Sequence, residues 1–142
     1  MQIDISLNPT FDHIKSIRKL MCEGEYNGNY DVVYNAFERK NLVVLLQDDQ
    51  PIEFLAFTIG DVYAHIVLME IKKGFKGSGF GRKLEVCFCD YSLQQNARFI
   101  TLLCSPIETK GFWLKMGYGF DEAMVGNSGL HLIKCLSRGL SD

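Results

Sequence analysis

The chain has 142 residues, a formal net charge of -2, and apolar and charged shares of 47% and 23%. That length suits one domain of ~100–150 residues, long enough to bury a core without disulfides or a structural metal. The charge balance leaves no basic stripe for nucleic acid, and no apolar run approaches the ~18–20 residues of a membrane span.

Residues 2–7 (QIDISL) alternate apolar and polar, which predicts a half-buried strand. Asn8-Pro9 then reads as a helix start, with a capping side chain and a proline in the first turn. Phe11, Ile14, Ile17, Leu20 and Met21 recur at helical spacing, predicting a helix over 9–22. Residues 23–30 (EGEYNGNY) form a polar, aromatic loop, and 31–39 a second short helix.

Three strands should follow in close succession, at 41–47, 52–59 and 62–72. A turn over Asp48-Asp49-Gln50-Pro51 and a tight turn at Gly60-Asp61 separate them. A glycine-rich connection at 74–81 leads into a helix over about 80–95, with Leu84, Cys87, Phe88 and Tyr91 on one face and Asn96 as a left-handed cap. A buried strand at 97–104, a short helix from Pro106 to Met116 and strands at 118–125 and 130–136 complete the chain, the last two joined by Gly126-Asn127-Ser128-Gly129. The order β-α-α-β-β-β-α-β-α-β-β describes one mixed α/β domain over 1–142, with antiparallel hairpins and at least one crossover helix.

Cys22, Cys87, Cys89, Cys104 and Cys135 show neither a C-x-x-C nor a zinc-ligand spacing, so no metal is expected. Cys104 and Cys135 lie in apolar runs and read as small core residues. Reduced cysteines, together with an N-terminal stretch lacking the basic and apolar parts of a secretory leader, predict a cytoplasmic setting.

The strand-to-helix connection Phe75-Lys76-Gly77-Ser78-Gly79-Phe80-Gly81-Arg82-Lys83 carries the chemistry. Glycines let the backbone approach a ligand closely, and a helix start offers free N–H groups and a positive dipole end, together an anion site. It is not a Walker A loop, because Gly74 is followed by Gly79-Phe80 and Gly77 by Arg82-Lys83 where Gly-Lys-Ser/Thr belongs. It is not a dinucleotide fingerprint either, because Arg82 stands where the third glycine should be.

The segment from Lys76 to Gly81 resembles the pyrophosphate loop of the GNAT superfamily of N-acetyltransferases, Gln/Arg-x-x-Gly-x-Gly/Ala, with lysine in first place. Phe112-Trp113-Leu114-Lys115-Met116-Gly117-Tyr118 is similar to a second hallmark of that family, F-Y-x-K-L-G-F. The resemblance implies a mixed, mostly antiparallel seven-stranded sheet with about four helices. It also implies acetyl-CoA as co-substrate, lying between splayed strands at 62–73 and 97–104. Backbone groups of Ile71 and Lys73 would hold the pantetheine arm. Lys76, Gly77, Ser78, Gly79, Phe80, Gly81 and Arg82 would hold the pyrophosphate, and an N–H near Ile71 the oxyanion.

The attacking amine must lose a proton. His65, on the strand before the loop, is the leading candidate base, read alternatively as a structural histidine. Glu70 is the second candidate and has the opposite strand parity. The family usually has an asparagine near the start of the penultimate helix and a tyrosine within it, beside the thiol; here Pro106 and Trp113 stand there. Tyr118 or Ser105 would then have to supply any acid. Glu25, Tyr26 and Tyr30, in the first loop, would suit a cationic acceptor. The expected partner is a small amine or a protein amino group, with no nucleic acid or membrane partner, and a homodimer fits the family's habit. The expected activity is acetyl transfer to a primary amine; the alternative is a weakly active or inactive acyl-CoA-binding module with a sensing or protein-interaction role.

Overall fold

The computed structural model describes residues 1–136. Strands β1 (Ile3–Ser6), β2 (Leu42–Gln47), β3 (Gln50–Ile59), β4 (Tyr63–Ile71), β5 (Phe99–Leu103), β6 (Gly119–Phe120) and β7 (His131–Cys135) alternate with helices α1 (Phe11–Cys22), α2 (Tyr30–Glu38), α3 (Phe80–Gln94) and α4 (Lys110–Lys115) in the expected order. The strands form one seven-stranded sheet in the order β1-β2-β3-β4-β5-β7-β6. β4 and β5 run parallel, while β1–β2, β2–β3, β5–β7 and β6–β7 are antiparallel. The chain divides into two compact units, Met1–Phe57 with Leu68–Phe88, and Thr58–Val67 with the chain from Cys89 onward.

In the first unit α1 opens on Thr10. The Thr10 hydroxyl accepts the His13 N–H at 3.2 Å, and His13 Nδ1 accepts the Thr10 N–H at 3.0 Å. This reciprocal box displaces the expected cap at Asn8-Pro9, because it satisfies an orphan donor of the first turn and the N–H of the cap residue itself. His13 Nε2 reaches Asp49 at 2.9 Å. The turn from β2 to β3 is two residues long, narrower than the sequence suggests. Asp48 and Asp49 both take left-handed φ values, 50° and 66°, which match the twist of a tight hairpin. The pairing slips by one residue between Leu45 and Leu46, opposite Pro51, which has no N–H to give a ladder.

One face of this unit packs Ile14, Ile17, Tyr26, Val33 and Ala36 against Leu42, Val44, Leu46, Phe54 and Ala56. The alternate residues Val43, Leu45, Leu55 and Phe57 are buried on the opposite face, where Phe57 meets Phe88 of α3 at 4.9 Å. Glu53 pairs with Leu45 and so shares that second face.

In the second unit β5 lies between β4 and β7, and its α3 end closes on Asn96, left-handed at φ 69° as expected. β6 is only two residues long, against an expected strand over 118–125. Asp121 takes the Ala123 N–H at 3.2 Å and caps a single helical turn over Glu122–Met124, which ends the strand. Cys104 is buried as expected, but Cys135 is exposed. It shares the thinly covered face of β7 with His131 and Ile133, while Leu132 faces the core.

Candidate active site

At the end of β4 the Lys72 N–H donates to Ile52 C=O at 2.7 Å. Backbone groups alternate sides along a strand, so those of Ile71 point away from β3. The Lys73 N–H, however, donates to Glu25 C=O at 3.0 Å, so that donor is taken by the protein itself. Beyond it Gly77 and Gly79 adopt φ of 79° and 85°, a region where a Cβ would be strained although open space surrounds both. The first helical bond of α3 comes from the Lys83 N–H to Gly79 C=O at 3.3 Å. Among the described residues the N–H groups of Gly81 and Arg82 have no protein acceptor, as helix starts dictate. Phe80 N–H meets Ser78 Oγ at 3.4 Å, and the rings of Phe75 and Phe80, at the two ends of the loop, stack at 6.2 Å. Lys76, Arg82 and Lys83 are exposed cations around it.

The loop over 23–30 is strapped to the same end of β4. Besides the Lys73–Glu25 bond, the Asn27 N–H donates to Glu70 Oε1 at 3.0 Å. Gly28 sits so close that a Cβ there would lie 2.9 Å from Leu68 Cδ2 and 3.3 Å from Glu70 Cγ. Leu68 and Glu70 therefore share one face of β4. Glu70 is a partly buried carboxylate anchored by a backbone amide, and Glu25 is partly exposed beside it.

Tyr26 corrects the sequence expectation. It is 4% exposed, packs edge-on to Phe54 at 5.1 Å, and its hydroxyl donates to Pro51 C=O at 3.1 Å. Burial first, then the charges of Glu53, Glu25 and Glu70, push its phenol well above the usual tyrosine value. It is a core residue and not an acceptor contact. Tyr30 begins α2 and packs against Tyr34 at 6.1 Å, with the Arg18 guanidinium 5.5 Å from its ring centre. Sequence reasoning also missed Glu53. It is 3% exposed, its Oε1 has no hydrogen-bond partner among the described residues, and burial pushes its carboxyl up to about 8.

In the second unit β4 pairs with β5 from Tyr63↔Phe99 to Ile66↔Leu102. His65 stands opposite Thr101, with Nδ1 2.8 Å from the Thr101 hydroxyl. Burial, then the like charge of His131, hold its pKa below 6.5, so the ring is neutral at pH 7. Thr101 and His131 were invisible as site residues in the sequence, because only the strand register brings them to His65. Trp113 and Tyr118 are 6% and 3% exposed and meet edge-on at 5.2 Å. The Lys134 ammonium lies 5.5 Å from the Tyr118 ring centre. Tyr118 is thus packed into the second unit's interior, while Ser105 is exposed at the end of β5.

No family model and no curated protein matches the chain. Solved structures do. The PaiA N-acetyltransferase from Thermoplasma acidophilum, in complex with coenzyme A, aligns with a TM-score of 0.77 at 13% identity over 95% of this chain and 99% of that one. A GNAT family N-acetyltransferase from Escherichia coli, in complex with CoA, aligns with a TM-score of 0.73 at 14% identity over 96% and 81%. N-acetylglutamate synthase from Neisseria gonorrhoeae, complexed with coenzyme A and N-acetyl-glutamate, aligns with a TM-score of 0.73 at 15% identity over 97% of this chain but 36% of that one. The chain therefore spans about a third of that synthase. The architecture is the GNAT fold.

Proposed function

We propose that the chain is a CoA-dependent N-acyltransferase that moves an acetyl group from acetyl-CoA to a primary amine. The observation that carries this reading is the strand-to-helix loop, with Gly77 and Gly79 left-handed and the Gly81 and Arg82 N–H groups at the start of α3 without a protein acceptor among the described residues. Those donors, the helix dipole and three exposed cations suit a pyrophosphate. The coenzyme A held by similarly folded proteins supports the choice of ligand.

In the reaction the amine nitrogen attacks the thioester carbonyl. The N–C bond forms, the C–S bond breaks, and CoA leaves as the thiolate. The amine's proton passes to neutral His65. An unperturbed thiol has a pKa of about 8.5 by analogy with cysteine, so its anion leaves without obligatory acid help. Glu70, anchored by the Asn27 N–H, and Glu25 favour a cationic acceptor. A cytoplasmic setting and a reducing compartment belong to the same proposal.

A second reading, an acyl-CoA-binding module with little turnover, draws support from the buried Trp113 and Tyr118 where a leaving-group acid would be needed. Calorimetry with acetyl-CoA, followed by thiol release over a panel of amines, tests both. Binding with turnover above hydrolysis supports the enzyme, binding alone the module, and no binding at millimolar ligand defeats both.

A further inference from the structure

The three histidines of the chain differ in what fixes their protons. A backbone N–H points at His13 Nδ1, so that nitrogen must accept, and the proton of the neutral ring sits on Nε2 facing Asp49. A carbonyl can only accept, so His131 Nε2, 2.9 Å from Ser128 C=O, must carry its proton. His65 alone faces a hydroxyl, which can give or take. Thr101 is its register partner across β4–β5, and Thr101, Leu103, His131 and Ile133 line the same face of β5 and β7.

We propose that Thr101 is a positioning residue that accepts a hydrogen bond from His65 Nδ1–H and so keeps Nε2 as the bare, proton-accepting nitrogen. This rests on the reading of His65 as the base. If Thr101 donated instead, Nε2 would already hold a proton and could take none from the amine. Once Nε2 is protonated, the Nδ1–H bond to Thr101 becomes charge-assisted without any rotation of the hydroxyl. The titratable neighbour on this face is His131. Lys134 has the opposite parity on β7 and is turned to Cys89 Sγ at 3.4 Å and the Tyr118 ring, and the Asp121 carboxylate accepts the Ala123 N–H. A protonated His131 opposes protonation of His65, and Thr101 supports it in the transition state.

The test is long-range ¹H–¹⁵N spectroscopy of the full chain at pH 8, where ordinary histidines are neutral. Two rings should show the Nε2–H pattern and one, absent from His65→Ala, the Nδ1–H pattern. Thr101→Val should move that ring toward Nε2–H, and Thr101→Ser should leave it unchanged. A general base contributes ~10²–10⁴-fold, so Thr101→Val should lower kcat/KM for the amine at least about tenfold, with the acetyl-CoA Kd unaltered and serine restoring the rate. An Nε2–H pattern for His65 in the unaltered protein overturns the proposal, as does full activity in Thr101→Val. The spectrum reads the free protein, so a chain that shows the Nδ1–H ring yet never releases thiol defeats the enzymatic reading and leaves the tautomer assignment standing.

Discussion

Glu53 is the residue whose chemistry departs furthest from its ordinary state. A carboxyl ionises in the unfolded chain at 4.5 but in the fold only at about 8, because burial penalises the anion. The folded state thus keeps a proton that the unfolded state has lost. Unfolding releases that proton between those values, so stability contributed by the neutral acid is present below 4.5 and is lost as pH rises toward 8. His65, with its pKa lowered, acts in the opposite sense, but only below 6.5, where unfolding takes a proton up. The Glu53 slope is therefore read cleanly between pH 6.5 and 8. At ~1.4 kcal/mol per pH unit it amounts to roughly 2 kcal/mol. Glu53→Gln should remove most of that difference in urea melts at the two pH values, and should be the more stable protein at pH 8. An unchanged slope in the variant would mean that Glu53 is ionised in the fold.

Elements separate what local pattern can state from what only long-range pairing decides. The helix over α3 was legible because Leu84 and Phe88 repeat at helical spacing, and Asn96 announced its end. The glycine loop was legible because loop, strand end and helix start are contiguous in the chain. The strand at 118–125 was misread because apolar content suggests a strand, while the side chain of Asp121 turns the backbone after two paired residues. Tyr26 was misread for a related reason. A tyrosine in a polar loop looks like a surface group until Pro51, 25 positions away, accepts its hydroxyl proton. Likewise, Thr101 and His131 reach His65 through strand register and not through sequence spacing.

The loop also permits a test at this scale. Gly77 and Gly79 have left-handed φ but no neighbour that a Cβ would strike, so alanine brings backbone strain of ~1–2 kcal/mol per residue and no clash. A chain relieving that strain would turn its N–H groups away from an anion. Gly77→Ala and Gly79→Ala should each weaken CoA binding by roughly tenfold or more, read by calorimetry, with the far-UV spectrum unchanged. Loss of helix in either variant would show that the glycines serve folding and not the ligand.

For the whole molecule, activity and stability should respond to pH in opposite directions. The rate requires neutral His65 and a neutral amine. Below the lowered His65 pKa both are protonated, so log kcat/KM for a lysine-like amine of pKa ~10.4 should rise with a slope of two. Above it, only the amine still titrates and the slope falls to one, without a break at neutral pH. Over the same range, ionisation of Glu53 lowers the melting temperature. The two groups belong to different compact units, so single variants should separate the effects. Glu53→Gln should flatten the melting curve against pH and leave the rate profile in place. His65→Ala should erase the change of slope below 6.5, leaving a slope of one throughout at a rate ~10²-fold lower or more, and should keep the stability slope between 6.5 and 8. A slope of two that persists in His65→Ala would assign the proton acceptor to another group, with Glu70 the first to examine through Glu70→Gln.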